Sequence, residues 1–252
     1  MIKPLIVARC GDLQNAPEST LSAFEGAIAK GADALEFDVH LTKDEELVVH
    51  HDYYLGRTNQ GSGHIGDYTL AELKVLDVGG WFDVKFAGEK MPTLSEVLDL
   101  GKGRIRFEID MRSPNLIFLN RVIDEIVRFG VTDDVELTSA HVPLLFHVKR
   151  INPKLQTGIF FRAFPDWMEP ALGQEHVIGW MMLIDAQVAH LPSSLIEEWF
   201  IQRLHKRNFL VHGSNLNTEE EIRETIMLGV DQFSTDQLEL ALDIQKELRE
   251  GP

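Results

Sequence analysis

The chain is nearly devoid of cysteine. Cys10 is the only one among 252 residues, so no disulfide can form within the chain. Such usage suits a reducing compartment, and a cytoplasmic location is expected. Positive charge is scarce as well. Lys and Arg number 24 against 40 Asp and Glu, a formal net charge of −16. A surface of that sign repels nucleic acid and anionic membrane, so neither is expected as a partner. No apolar run approaches the roughly 20 residues of a membrane-spanning helix, and stable membrane insertion is not expected. The opening segment, MIKPLIVARC, is broken too early to read as a secretory signal. There is no low-complexity tract, and no repeat beyond an alternation of strands and helices. An anionic substrate therefore needs local positive charge, from a metal or from a few placed basic residues.

What is present fits one α/β domain over residues 1–252. Short apolar runs bounded by Gly, Pro, Asp or a charged residue predict strands at Leu5–Arg9, Ala34–Val39, Arg104–Asp110, Asp134–Thr138, Gln156–Phe161, Met181–Ala186, Phe209–Gly213 and Asp231–Thr235. Helices fit between them. Ser19 or Thr20 caps one that Gly31 stops, and Thr218 with Glu221 forms a capping box. Helical spacing recurs at Asn120–Phe129, Leu144–Ile151, Ser194–Arg207 and Leu238–Arg249. Eight strands each followed by a helix predict a (β/α)8 TIM barrel. An insertion over its mouth is expected between strands two and three, at about 40–103. It contains a return strand at Leu47–His51 and the Gly-rich NQGSGHIGD.

The chemistry concentrates between Gly31 and Thr58, GADALEFDVHLTKDEELVVHHDYYLGRT. Glu36 and Asp38 stand two residues apart in an apolar strand, so both carboxylates face one side. Two acids on one buried face repel and are costly to desolvate, and a divalent cation is the usual resolution. The following LVVHHD supplies His51 for acid–base work. In a TIM barrel the active site lies at the C-terminal strand ends. These ends carry Arg9 and Cys10, Glu36 and Asp38, Glu108 and Asp110, Ser139, His212 with Ser214, and Asp236. Glu36, Asp38 and Glu108 can converge on one hard cation, Mg²⁺ or Ca²⁺. Metal-assisted chemistry on a phosphate or similar anion is the reaction class this suggests.

At this point the chain resembles a known family, the glycerophosphodiester phosphodiesterases. The resemblance runs through APEST with LSAFEGAIAKGADALEFDVHLTKD, LVVHHDYYLGRT, MPTLSEVL, FEID and LGVDQFSTD. It implies a TIM barrel that hydrolyses glycerophosphodiesters to glycerol phosphate and an alcohol, a step of lipid metabolism. It implies a divalent cation on Glu36, Asp38 and Glu108, and His51 as general acid or base. The substrate hydroxyl beside the phosphate is implied to attack in-line, giving a cyclic phosphate that is then opened.

This sequence departs from that pattern at several positions. Arg9-Cys10-Gly11 stands where the family begins His-Arg-Gly, so the first catalytic histidine is absent. Glu108-Ile109-Asp110 replaces Glu-x-Lys, and His212-Gly213-Ser214-Asn215 replaces Trp-Thr-Val-Asn. Arginine cannot act as a base near neutral pH, though it can hold a phosphoryl oxygen. Arg9 is read as a phosphate contact or as a structural bridge to Asp38 or Asp110. Cys10, Asp110 and His212 are read as substrate-side residues. Asp110 is alternatively a fourth metal ligand or a replacement base, and Cys10 a small buried filler. His50, pointing away from His51, is read as structural, and Gly61–Gly63 as a flexible lid. Three activities follow: an altered phosphodiesterase acting on a small phosphoester, a phosphotriester hydrolase, or a silent metal-dependent binding protein.

Overall fold

The structure, a computed structural model, describes residues 3–250; Met1 and Ile2 of the opening segment and the last two residues lie outside the described residues. Eight parallel strands close into a barrel: β1 Leu5–Arg9, β2 Ala34–Leu41, β3 Arg106–Met111, β4 Val135–Ser139, β5 Gln156–Phe160, β6 Val188–Leu191, β7 Leu210–Gly213 and β8 Gln232–Thr235. Each pairs with its sequence neighbours, and β1 pairs with both β2 and β8, which closes the ring. The predicted TIM barrel is therefore the observed fold. No helix among the described residues is long and apolar enough to cross a membrane.

Local signals set the first βα unit. Thr20 caps the helix Leu21–Lys30, its hydroxyl accepting from the Ala23 N–H at 3.2 Å. Gly31 ends it in the left-handed conformation, at φ 89°. The turn after β1 needs its glycine, since Gly11 lies at φ +97° and a Cβ there would sit 2.7 Å from the Ala23 backbone. Between strands, outward-facing residues such as Phe37 and Phe107 pack beneath the helices. Burying each such side chain contributes about 1.5–3 kcal/mol.

The sixth strand corrects the sequence reading. Met181–Ile184 is the end of a helix, Pro170–Ile184, and the strand is Val188–Leu191. Met181 and Ile184 of the MMLI run pack on the barrel while Met182 and Leu183 are exposed, and periodicity cannot separate so short an apolar run from a buried strand. The seventh helix is also shorter than predicted, at Glu198–His205.

The segment after β2 folds back over the barrel end. Leu47–Val49 pairs antiparallel with β2, and a hairpin of Tyr54–Leu55 with Gly63–His64 follows. Val48, Leu55, Ile65, Leu73, Val78 and Met91 give this segment its own small core. Helix Leu94–Gly101, inside the span predicted as insertion, packs against helices Leu21–Lys30 and Leu116–Phe129 and serves as the barrel helix of β2.

Candidate active site

Alternation along β2 and β3 places Glu36, Asp38, Glu108 and Asp110 inside the barrel. Register puts Glu36 beside Glu108 and Asp38 beside Asp110. All four are buried. Burial, reinforced by neighbouring carboxylates, pushes Glu36 and Glu108 well above the ordinary carboxylate range. Burial and then the Asp38 charge push Asp110 up to about 7. Burial also raises Asp38, against the opposing pull of Arg112. Glu108 Oε2 and Asp110 Oδ1 have no hydrogen-bond partner. Cys10 Sγ lies 3.9 Å from Glu36 Oε2 and 4.0 Å from Asp38 Oδ2, and burial pushes its thiol well up, which favours the neutral form.

Arg112 supplies the counter-charge. Its Nε donates to Asp38 Oδ1 at 2.6 Å and lies 3.0 Å from Asp110 Oδ2. It stands two residues beyond Asp110, so strand alternation carries its guanidinium to the same side. Arg9 takes a partner the sequence did not suggest. Its Nη1 donates to Asp236 Oδ1 at 3.1 Å, while Asp38 and Asp110 belong to Arg112. Arg9 Nη2 also lies 2.9 Å from His51 Nε2.

His51 Nδ1 is 2.8 Å from Asp52 Oδ1. With that carboxylate accepting, Nδ1 carries the proton and Nε2 presents its lone pair to the Arg9 N–H. Asp52 stays ionised: burial opposes this, but hydrogen bonds from Arg57 and His51 hold it down at about 2. Arg57 in turn bridges Asp52, at 2.6 Å, and Glu18. His50 is buried and off the cavity lining, its pKa lowered by burial to about 4.

Below this level runs a second polar layer that the sequence reading passed over, apart from His212. His190 Nε2 is 2.6 Å from Glu136 Oε1, and Gln232 Nε2 donates to Glu136 Oε2 at 2.8 Å. His212 stacks on His190 with ring centroids 4.0 Å apart. His212 and Cys10 are fully buried beneath the cavity rather than on its lining.

A cavity of about 530 Å³ opens at the mouth, and Arg9, Glu36, His51, Glu108, Asp110 and Arg112 line its floor and one side. Ala140, Phe160 and Arg162 are on its wall too. Arg162 pairs with no carboxylate among the described residues. The structure thus gathers Arg9, Cys10, Glu36, Asp38, His51, Glu108, Asp110, His212 and Asp236, all singled out in the sequence, at one end of the barrel. The oxygen donors of Glu36, Asp38, Glu108 and Asp110 suit a hard divalent cation, which would relieve their mutual repulsion in a buried setting. Asp38 is turned toward Arg112, however, and among the described residues the His, Cys, Asp and Glu groups whose ligand atoms all lie within 4.8 Å of one another reduce to Glu108, His190 and His212.

A TIM barrel with acids, arginines and a carboxylate-oriented histidine at its mouth suits the hydrolysis of a phosphoric ester. The family model of the glycerophosphoryl diester phosphodiesterase family matches residues 11–240. The chain is 32% identical over 253 residues to a glycerophosphodiester phosphodiesterase of Caldanaerobacter subterraneus, covering 98% of this chain and 99% of that one. It is 30% identical to one of Bacillus altitudinis, covering 97% and 99%. Among solved structures, an Oleispira antarctica phosphodiesterase in complex with the product sn-glycerol-3-phosphate superposes with TM-score 0.86 at 24% identity, covering 97% of each chain. A glycerophosphodiester phosphodiesterase from Agrobacterium tumefaciens gives 0.82 at 25%, covering 95% and 99%. The chain belongs to the glycerophosphoryl diester phosphodiesterase family, and its enzyme class is that of the phosphoric diester hydrolases.

Proposed function

We propose that this enzyme hydrolyses glycerophosphodiesters to glycerol phosphate and an alcohol, using Mg²⁺ or Ca²⁺ held by Glu36, Asp38 and Glu108. The observation that carries this reading is the set of buried carboxylates lying under the His51–Asp52 pair at the mouth of a barrel of this family. When bound there, the cation would supply Lewis-acid polarisation of a phosphoryl oxygen. Arg9, Arg112 and Arg162 give the cavity fixed positive charge for an anionic phosphate, against the acidic balance of the chain. Arg112 compensates for the acid at position 110, where the family has lysine.

The attacking hydroxyl is the substrate's own, beside the phosphate. Its proton cannot go to Arg9. Asp110 lines the cavity, has a free Oδ1 and titrates near neutrality, which suits a group that accepts it. Once the substrate draws Arg9 away, His51 Nε2 takes up a proton from water while Asp52 holds Nδ1–H, and the resulting imidazolium passes that proton to the leaving alkoxide. The single buried cysteine and acidic surface support action in the cytoplasm on a small phosphoester.

Turnover of glycerophosphocholine, a chromogenic phosphodiester and a chromogenic phosphotriester, each with and without chelator, tests the reading. Diester turnover that chelator abolishes and Mg²⁺ or Ca²⁺ restores is expected. Preference for the triester would replace the substrate class. No turnover with the cation bound would leave a metal-binding protein.

A further inference from the structure

Beneath the mouth, the barrel holds a cluster that the proposed reaction does not use in full. Glu108, His190 and His212 are buried, and each has an unpartnered polar atom: Glu108 Oε2, His190 Nδ1 and His212 Nε2. Leaving such atoms unsatisfied in the interior is costly. One ligand atom from each of the three residues lies within 4.8 Å of the others, on three different strands, and such a group calls for a common partner.

Proton bookkeeping sharpens this. Gln232 Nε2 donates to Glu136 at 2.8 Å and lies 3.0 Å from His212 Nδ1. That amide nitrogen can only donate, to both, so His212 Nδ1 presents a lone pair. The same Nδ1 faces Glu108 Oε2 at 3.3 Å. Lone pair and carboxyl oxygen thus lie close enough to share one ion. His190 is set the same way. Its Nε2 is committed to Glu136 at 2.6 Å, which leaves the Nδ1 lone pair directed to the side of Glu108 Oε1, 3.7 Å away. A carboxylate on the far nitrogen of an imidazole is the arrangement that orients histidine metal ligands and raises their basicity. Gly158 makes room for it. A Cβ there would sit 2.3 Å from Glu136 Oε1 and 2.4 Å from His190 Nε2.

We propose that Glu108, His190 and His212 form a second cation site, distinct from the all-oxygen set at the mouth. Two imidazoles with one carboxylate suit a borderline ion such as Zn²⁺ better than Mg²⁺ or Ca²⁺. Glu108 lines the cavity above, which would give an ion a way in. Glu108 then stands between the two sites, one oxygen available to each. Binding would require Gln232 to release His212 Nδ1 and the stacked rings to turn so that both lone pairs converge. The site does not depend on the reaction proposed above, and its test reads metal rather than turnover.

Metal is stripped from the full chain with chelator, excess Mg²⁺ is added, and Zn²⁺ binding is followed by equilibrium dialysis with elemental analysis. One Zn²⁺ per chain that Mg²⁺ does not displace is expected. Glu136→Gln should weaken it about 10–100-fold, as loss of an orienting partner does elsewhere. His190→Gln and His212→Gln should weaken it further, and His147→Gln on the outer helix should leave it unchanged. X-ray absorption of the Zn²⁺-loaded wild type should show imidazole nitrogens in the coordination shell, which keeps the test intact if a variant fails to fold. Displacement by Mg²⁺, an all-oxygen shell, or unchanged affinity in both folded histidine variants would overturn the assignment.

Discussion

Along β3 two rows of side chains face opposite ways, and both are almost wholly buried. Phe107, Ile109 and Met111 face the helices, while Glu108 and Asp110 face the barrel interior. The same contrast runs along β2, with Leu35, Phe37 and Val39 against Glu36 and Asp38. The outward row is held by apolar area removed from water and by close packing, neither of which depends on protons or ions. The inward row is stable only while its charges are matched, because a buried ion stripped of its partner is expensive. The barrel thus has an unconditional core outside its strands and a conditional one inside. Its chemistry is placed in the second.

The adjacent histidines offer the steepest test of that contrast. His51 reaches the cavity and is oriented by Asp52, whereas His50 is buried away from it. His51→Ala should lower kcat by about 10²–10⁴-fold, the usual range for a positioned acid or base. His50→Ala should cost less than about tenfold while lowering thermal stability. The reverse ranking in steady-state assays would show that the register of the pair is misassigned.

Arg112 and Ile109 test the two rows directly. Arg112→Ala strands Asp38 and Asp110, and removing one member of a buried pair costs about 3–5 kcal/mol. Ile109→Ala leaves a cavity and costs about 2–5 kcal/mol. The magnitudes overlap, but their pH dependence separates them. Acid protonates the stranded carboxyls, so the Arg112→Ala deficit should shrink as pH falls, while the Ile109→Ala deficit should not. Urea denaturation at pH 5 and pH 8 decides. A pH-independent Arg112→Ala deficit would mean that packing, not charge, is what Arg112 provides.

A smaller effect resides in Asp110 itself. Its folded pKa, about 7, exceeds the roughly 3.9 of an unfolded aspartate. The folded state therefore holds a proton that the unfolded state releases. That contribution to stability is fully present below about pH 4 and is lost as pH rises through 7. Metal-free wild type should lose stability between pH 5 and pH 8, and Asp110→Asn should lose less. A divalent cation, by favouring the ionised carboxyl, should flatten the wild-type profile. Identical slopes for the two proteins in chelator would remove Asp110 as the group responsible.

The outward row was legible in the sequence because apolar alternation and turn residues announce it, and seven of the eight predicted runs fall on barrel strands. Glu36 and Asp38 were legible because two acids at spacing two in an apolar strand have no ordinary solvent-facing explanation. The deeper layer was not. Glu136 and Gln232 are single polar residues at strand positions that read as solvent-facing when met alone. His190 was lost with its strand: VAHL is short and polar-interrupted, and the apolar MMLI nearby drew the assignment. Arg112 stood just past the expected end of its strand at Asp110. Alternation carried one step further would have placed it beside Asp38. Arg9's partner, Asp236, lies 227 positions away, a closure that only the completed barrel brings about.

Arg9 carries the smallest and most discriminating change. It lies between the rows' two ways of handling charge, donating at once to Asp236 and to the lone pair of His51. The resemblance read from the sequence implies histidine at this position, so Arg9→His would supply a group able to take the attacking hydroxyl's proton while giving up the clamp on Asp236. These effects oppose each other, and a net gain of no more than about tenfold in kcat/KM on glycerophosphocholine is expected, roughly 1.4 kcal/mol. Adding Asp110→Lys alone should not extend that gain, because the new ammonium would be set against Arg112, which now lies 3.0 Å from Asp110. Cys10→Arg would meet Glu36 and Asp38 at close range, so the three changes should couple strongly. High wild-type activity that falls on Arg9→His would show that arginine at this position belongs to a different working site, in which the inner core has been rebuilt around Arg9 and Arg112 together.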